Sequence, residues 1–493
     1  MVAPALSKQQ VTNASYIDLP DEEIKWSTVS LSEVIERQYR LEASVFDIEG
    51  KHAHEVLKNN KWETVNLLAD NGLVKDAFYP GRFKRIYIEK DNGIPFFLPS
   101  QIVEINPKAT KYISEKTAFD IDSLKLTKNT MLLTRSGTIG NCTIVTDTLE
   151  GKMFSDDIIR LSFKNEYDLG YVYAFFKTKI GNTVLQTNNY GSVVSHIEPE
   201  HLQNVPIPNP PPIIKQEVHS LIMESFKLRD ESNKLLDTAE QLLIKELNLP
   251  PIDEIEVGNF EKNAEVNNFS VKLSSLDYRL EGSYHLPIVN GILTHFKKNA
   301  REVLKIGDSR ISKEIILPGR FKRVYVEEGQ GTVFFGGKQL FELDPSGKKI
   351  LSTKMHKSRI SNELLLRENM ILITRSGTIG KVVLTPKHWE KWVINEHVIR
   401  VIPSDTNLAG FLSVFLSSDY GYELIKRFTY GSVVDEIDDN HVSQIEVPLL
   451  KNEEIQKNIN NLALEANKNR YEAYSLEQKA IKMVNEDIIH AVK

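Results

Sequence analysis

The sequence predicts a mixed α/β (α+β) protein: two duplicated globular domains separated by two long helices that form an antiparallel coiled coil. Three observations predict it. The heptapeptide T-R-S-G-T-I-G occurs twice, at 134–140 and 374–380, 240 positions apart in a chain of 493. Other blocks repeat in the same order: G-R-F-K-R at 81–85 and 319–323, Y-G-S-V-V at 190–194 and 430–434, and Y-R-L-E at 39–42 and 278–281. Collinear repeats of this kind mark a tandem duplication, and a period near half the chain means two related domains. Third, two stretches carry apolar or small residues in an unbroken 4-3-4-3 spacing, the seam of a coiled coil.

Residues 1–25 have no counterpart in the second half and read as an N-terminal arm. Residues 26–209 read as the first mixed domain. Short β-type runs (Arg85-Ile86-Tyr87-Ile88, Met131-Leu132-Leu133, Ile158-Ile159-Arg160-Leu161) alternate there with a helical stretch near 168–186. The Ser-Gly in each heptapeptide supplies a turn between two apolar strands. Residues 210–249 read as the first long helix, which Pro210-Pro211-Pro212 starts and Pro250-Pro251 stops. Its seam is Ile214, Val218, Leu221, Ser225, Leu228, Ser232, Leu235, Ala239 and Leu242. In 250–269, Asp253, Glu254, Glu256, Glu261 and Glu265 outnumber the lone Lys262, as expected of a solvated acidic linker. The second domain occupies 270–449, with a helical stretch near 408–427, and the second long helix 450–493. The latter's seam is Ile455, Ile459, Leu462, Ala466, Asn469, Ala473, Leu476, Ala480 and Met483. Each helix could simply pack on its own domain. Ser225, Ser232, Ala466 and Ala473 favour pairing of the two helices, because small seam residues let backbones approach closely.

Composition narrows the function. With 41% hydrophobic and 26% charged residues the chain has enough apolar content for several cores. Cys142 is the only cysteine, which excludes a disulfide framework and a thiolate metal site. The opening Met1-Val2-Ala3-Pro4 lacks a basic, then apolar, leader, and no apolar run approaches about 18 residues. A cytoplasmic protein without a membrane partner is expected. A net charge of −6 argues against nucleic acid when taken alone, but a global sum hides local basic stripes.

No catalytic constellation or metal site emerges, and an enzyme is not expected. Asn209-Pro210-Pro211-Pro212 echoes the N-P-P-aromatic motif of amino-methyltransferases, but its fourth position is Pro and no Gly-rich cofactor loop precedes it. Basic segments are the better candidates. Arg82, Lys84 and Arg85, and again Arg320, Lys322 and Arg323, put three cations within four residues, suited either to phosphates or to a solvated strand edge. In the heptapeptides, Arg135 and Arg375 could reach a phosphate or guanine edge, with Ser136, Thr138, Ser376 and Thr378 as hydroxyl donors; a tight scaffold turn is the other reading. Tyr190, Ser192, Tyr430 and Ser432 of the Y-G-S-V-V blocks complete the repeated set. The halves diverge most at 91–130 and 329–369, where the second carries Lys348, Lys349, Lys354, Lys357 and Arg359 and the first Lys108, Lys111 and Lys116. Shared residues then build scaffold or touch the invariant backbone, and divergent ones read bases.

The whole pattern resembles the specificity subunit of a type I restriction–modification system. The motifs that carry the resemblance are Arg40-Leu41-Glu42 and Arg279-Leu280-Glu281 near each domain start, the two R-S-G-T-I-G turns, and the domain end from Gly191-Ser192 to Leu202-Gln203-Asn204-Val205-Pro206-Ile207-Pro208-Asn209-Pro210-Pro211, leading to Gln216. The second domain end, Ile445-Glu446-Val447-Pro448-Leu449-Leu450, departs by lacking the Pro pair. The resemblance implies a non-catalytic subunit in which each target-recognition domain reads one half of a bipartite site in double-stranded DNA, while the helices act as a ruler for the unread spacer. It implies docking of methyltransferase subunits that carry S-adenosylmethionine and modify adenine N6, this chain holding no cofactor, and a motor–nuclease partner where unmodified DNA is cut. Duplicated DNA binding without a methyltransferase, or an assembly scaffold, are the alternatives.

Overall fold

A computed structural model describes residues 28–36, 39, 46–117, 120–187, 196–255, 269–276, 278–431 and 434–491. Each half is built round a four-stranded antiparallel sheet. In the first half its order is Val74–Phe78, Ile158–Phe163, Met131–Thr134, Cys142–Ile144; in the second it is Ser312–Ile316, Val398–Pro403, Ile371–Thr374, Val382–Leu384. Every residue of Met131–Thr134 and Ile371–Thr374 is buried, which is why these central strands read as continuous apolar runs rather than alternating ones. A three-stranded sheet lies beside each, made of Lys111–Ile113, Ile94–Phe97 and Met153–Phe154, or of Lys349–Ser352, Gly331–Phe335 and Val393–Ile394. The expected strand at 85–88 is only a bridge: Tyr87 pairs with Ile113, and the chain then turns away at Lys90–Asn92.

The helical stretches near 168–186 and 408–427 are each two helices. Glu166–Lys177 and Lys179–Gln186 are separated at Thr178, and Thr406–Ser417 and Asp419–Lys426 at Ser418. The breaking residue is extended and caps the next helix. Thr178 Oγ1 accepts from Gly181 N at 3.0 Å, and Ser418 Oγ from Gly421 N at 3.2 Å. Glycine is required after each break, because a Cβ there would run into the carbonyl oxygen of Phe175 or Phe415.

The long helices run Pro212–Glu246, with Pro at the first position, and Glu453–Met483, continued as a π-type turn over Val484–Ile489. Lacking the proline pair, the second helix starts with Asn452, whose side chain accepts from Ile455 N at 3.2 Å. The helices pack antiparallel along their length. Ser225 Oγ donates to Ala473 O at 2.7 Å, and Arg470 Nε to Ser232 Oγ at 3.3 Å. The closest row recurs every seven residues: Val218, Ser225, Ser232 and Ala239 on one helix and Ile459, Ala466, Ala473 and Ala480 on the other are all buried. The expected pairing of the two helices is therefore what the structure has, with one adjustment. Leu221, Leu228 and Leu235 are only half-buried, whereas Ile222, Phe226 and Leu243, outside the two-stranded seam, are buried.

That adjustment follows from how the helices meet the domains. Each helix starts on its own domain and ends on the other. Asn60 Nδ2 reaches the carbonyls of Ile488 (2.6 Å) and Ile489 (2.8 Å), and the equivalent Asn299 Nδ2 reaches Leu247 O at 2.8 Å. One core accordingly joins the first domain to Val218, Ile222, Phe226, Ala480, Val484 and Ile488; another joins the second domain to Ala239, Leu243, Leu247, Ile459 and Ala463. The two domains also touch directly. Glu104 bridges Glu342, its counterpart in the repeat, and Ile105 N donates to Phe341 O at 2.9 Å. Equivalent residues thus meet across an approximate twofold axis that runs through this seam and the middle of the helix pair.

Candidate nucleic-acid interface

Along the G-R-F-K-R segments the side chains alternate between exposed and half-buried. Phe83 turns inward against Phe96 (ring centroids 6.4 Å) and Phe321 against His356 (5.2 Å). Arg82, Lys84, Arg320 and Lys322 consequently face solvent, with the Arg320 side chain 76% exposed. The third cation of each block points back. Arg85 grips Asp156 and Ser155, and Arg323 holds both oxygens of Glu396 at 2.7 and 2.8 Å. Burial alone would raise the Glu396 pKa, but the Arg323 hydrogen bond takes it below the usual carboxylate value.

The heptapeptides are turns joining two paired strands, as expected. Gly137 (φ 76°) and Gly377 (φ 75°) take the left-handed conformation that the turn needs. Thr134 and Thr374 close the turns by donating to the carbonyls of Thr138 and Thr378. Both Thr138 and Thr378 are exposed. The two arginines are not free to reach out. Arg135, 4% exposed, bonds Asp157 at 3.0 Å and takes Glu198 with two nitrogens; that contact holds its pKa above the ordinary guanidinium value despite burial. Arg375 pairs with Glu436. Each guanidinium is thus tied to carboxylates beside its own turn.

The returning segment after Y-G-S-V-V lies against the same turn. Ile197 N donates to Arg135 O at 2.9 Å and Ile437 N to Arg375 O at 3.0 Å. Ser136 bridges His196, while Ser376 and Tyr430 bridge Glu436, which lies 3.8 Å from Arg320. The described parts of the repeated motifs, with the segment that follows Y-G-S-V-V, therefore meet at one end of each four-stranded sheet. Tyr430 is exposed; Tyr190, Ser192 and Ser432 lie outside the described residues. Arg40-Leu41-Glu42 lies outside them too. In the second half Arg279 pairs with Glu281 at 3.2 Å over the ring of Tyr284, leaving Tyr278 and Leu280 exposed.

The divergent segments divide. Lys354 and Lys357 are exposed on the short helix Thr353–Arg359, and Lys349 is exposed above the Tyr325 ring (4.6 Å). Lys348 pairs with Asp344 over Trp392, and Arg359 with Glu363 (3.2 Å) and the Gly319 carbonyl. Glu104, Ile105, Phe341 and Glu342 fall within these same segments but form the domain seam. The 3₁₀ turn Ile121–Leu124 has the π-type turn Ile360–Leu364 as its second-half counterpart, so the offset has already drifted from 238 to 240 by these turns.

Several residues that sequence reasoning passed over organise this edge. Asp156, Asp157 and Glu198, with Glu396 and Glu436, partner the repeated cations, and His397 bonds Ser376. The signal was present, since Asp156-Asp157 and Glu396-His397 occupy equivalent places just before Ile158–Phe163 and Val398–Pro403. Arg160 and Arg400, also equivalent, are buried on these strands and bond main-chain carbonyls; burial pushes their pKa values down to about 10 and about 9. Among the described residues no cluster of His, Cys, Asp and Glu could hold a metal ion, and no helix is long and apolar enough to cross a membrane.

Comparison with known proteins adds family-level information. A family model described as the type I restriction modification DNA specificity domain matches residues 82–241 and again 332–462. No curated protein matches. Among solved structures, the S subunit of a type I restriction-modification system from M. genitalium is 13% identical over 88% of this chain and 96% of its own, with a TM-score of 0.33. The HsdS subunit from Thermoanaerobacter tengcongensis is 12% identical over 87% and 97%, with a TM-score of 0.27.

Proposed function

The chain belongs to the type I restriction–modification DNA specificity family, with two copies of its domain, and on that premise we propose that each copy grips one half of a bipartite duplex site through the edge where its repeated motifs meet. It is a DNA sequence-specificity subunit of a restriction–modification complex, in a family generally without catalytic activity of its own. The observation that carries the finer reading is the pair of equivalent edges, each with two outward cations beside a heptapeptide turn, held apart by one antiparallel strut. Exposed Arg82, Lys84, Arg320 and Lys322, with Lys349, Lys354 and Lys357, suit phosphates. The turn hydroxyls and the divergent surface suit base edges. The strut then sets the unread spacer.

Methylation belongs to partner subunits, which dock on the helices and bind S-adenosylmethionine; a motor–nuclease subunit joins where unmodified DNA is cut. The target adenine must leave the stack to be modified, so the task of this chain is to hold and orient the duplex. A partner can supply further phosphate contacts, which makes a net charge of −6 compatible with DNA binding. The test is a genome-wide map of N6-methyladenine with this chain present and deleted, in a host with its native partners. Loss of one split motif on deletion is the expected result. An unchanged map overturns the coupling to methylation.

A further inference from the structure

Within the frame that the two halves share, the residue bonded to the heptapeptide serine differs in kind. Asp157 and His397 are equivalent, 240 residues apart, and lie where the two repeated basic motifs meet. On one side the preceding acid, Asp156 or Glu396, grips the inward cation of G-R-F-K-R. On the other, the side chain itself bonds the serine of the heptapeptide: Ser136 Oγ donates to Asp157 Oδ2, and Ser376 Oγ lies 2.7 Å from His397 Nδ1. The main-chain bonds that tie Arg135 to Ile197 and Arg375 to Ile437 repeat, although the arginines themselves take acids from non-equivalent positions, Glu198 and Glu436. Between these repeated bonds the side chain against the serine changes from an acceptor-only carboxylate to an imidazole that can donate.

Both side chains remain partly open, 27% and 38% exposed. Asp157 takes one bond from Arg135 at 3.0 Å and one from Ser136, which leaves a carboxylate with room for about two more. In the tautomer that accepts the Ser376 hydroxyl at Nδ1, His397 carries its proton on Nε2. That nitrogen is 3.9 Å from Glu396 Oε1, too far for a hydrogen bond, and the Glu396 oxygens are already held by Arg323. In that tautomer the frame presents an acceptor in one half and a donor in the other.

We propose that residues 157 and 397 are specificity-determining positions: Asp157 accepts from an exocyclic amino group of adenine or cytosine in one half-site, and His397 Nε2 donates to an acceptor edge, guanine N7 or O6 or thymine O4, in the other. The major groove distinguishes these patterns, so an acceptor and a donor in the same frame select different bases. The inference rests on the DNA-reading role proposed above. It goes further in placing a base contact outside the segments where the two halves diverge most.

The test uses the whole complex and two near-isosteric substitutions. His397→Asn keeps an amide where Nδ1 sits, retaining the Ser376 bond while removing Nε2. Asp157→Asn replaces an acceptor oxygen by a donor while Arg135 keeps Glu198. N6-methyladenine maps are read for each variant. His397→Asn should relax one base pair of one half-site by about tenfold and spare the other half-site. Asp157→Asn should alter the opposite half-site only. Unchanged base preference in both variants overturns the assignment. Should a variant abolish methylation, competition binding with duplexes changed at each base pair decides: uniform weakening overturns the proposal, and weakening confined to one base pair upholds it. Absence of any chain-dependent motif with the wild-type chain would instead sink the reading on which this inference rests.

Discussion

At the residue scale, cations with the same letters sit in opposite environments. Arg82, Lys84, Arg320 and Lys322 are exposed, whereas Arg135 is buried between Asp157 and Glu198. Replacing Lys322 by Ala should therefore weaken DNA binding evenly across sequences and reduce the slope of log K against log salt by about one. Arg135→Ala should act through stability, costing about 1–3 kcal/mol in urea unfolding, because it removes the guanidinium that bonds Asp157 and Glu198. If Arg135→Ala left stability intact and changed only the salt slope, the bracing role would be wrong. The division was half legible. Alternation about Phe83 and Phe321 points the first and third residues of R-F-K-R one way and the last Arg the other. What the sequence could not reveal is which acids receive the inward cations, since Asp156 lies 71 residues from Arg85 and meets it only through the sheet.

At the scale of elements, the long helices show how far periodicity reaches. The heptad row of small residues was readable, and it is the row along which the helices touch. Ile222, Phe226 and Leu243 were not assigned to the seam because each helix buries three faces, one on its partner and the others on both domains. A seven-residue pattern records only the narrowest of these. Close approach makes a sharp prediction. Ala473 is fully buried, and its carbonyl accepts the Ser225 hydroxyl. Ala473→Leu should push the helices apart at a cost of about 1–3 kcal/mol, seen as a lower melting midpoint, while Leu476→Ala, at a half-buried position, should cost less than burial of a whole leucine would imply. Equal losses would mean that the heptad row is not the contact row. The capped breaks at Thr178 and Ser418 were missed for a different reason: apolar spacing continues through them, and only the hydroxyl followed by glycine three residues later marks the interruption.

Spacer length is also an element-scale property. Adding one heptad to each helix, near Ser232 and Arg470, lengthens the strut by about 10 Å at 1.5 Å per residue, or about three base pairs at about 3.4 Å each. A methylation map of such a chain should show unchanged half-sites around a longer gap, or no methylation if the domain seam must hold. The original gap in a methylating variant would refute the ruler.

At the scale of the whole molecule, the twofold arrangement brings two equivalent carboxyl groups together where the domains touch. The relation was legible as far as the duplicated chain; the seam was not, because Glu104-Ile105 and Glu342-Leu343 sit in stretches whose divergence suggested a DNA-facing surface. Burial raises the pKa of Glu104 to about 7, with Lys381 and Gln101 opposing and Glu342 adding to the shift. Burial likewise raises Glu342, against the hydrogen bonds of Ser346 and the charge of Lys177, with Asp344 reinforcing the rise. A carboxyl group whose pKa is higher folded than unfolded keeps its proton longer in the native state. Its contribution is therefore most favourable near and below the ordinary value of 4.5, and stability is lost as pH rises from there through about 7. Glu104→Gln, nearly isosteric and uncharged, removes that loss. In urea unfolding the variant should match the wild type near pH 5 and exceed it by about 2 kcal/mol at pH 8. Parallel pH profiles would mean that Glu104 is solvated in the native state and that the seam opens in solution. A widening gap would mean that the domains are held by direct contact as well as by the strut, so that the distance between their DNA-facing edges is fixed at two places rather than one.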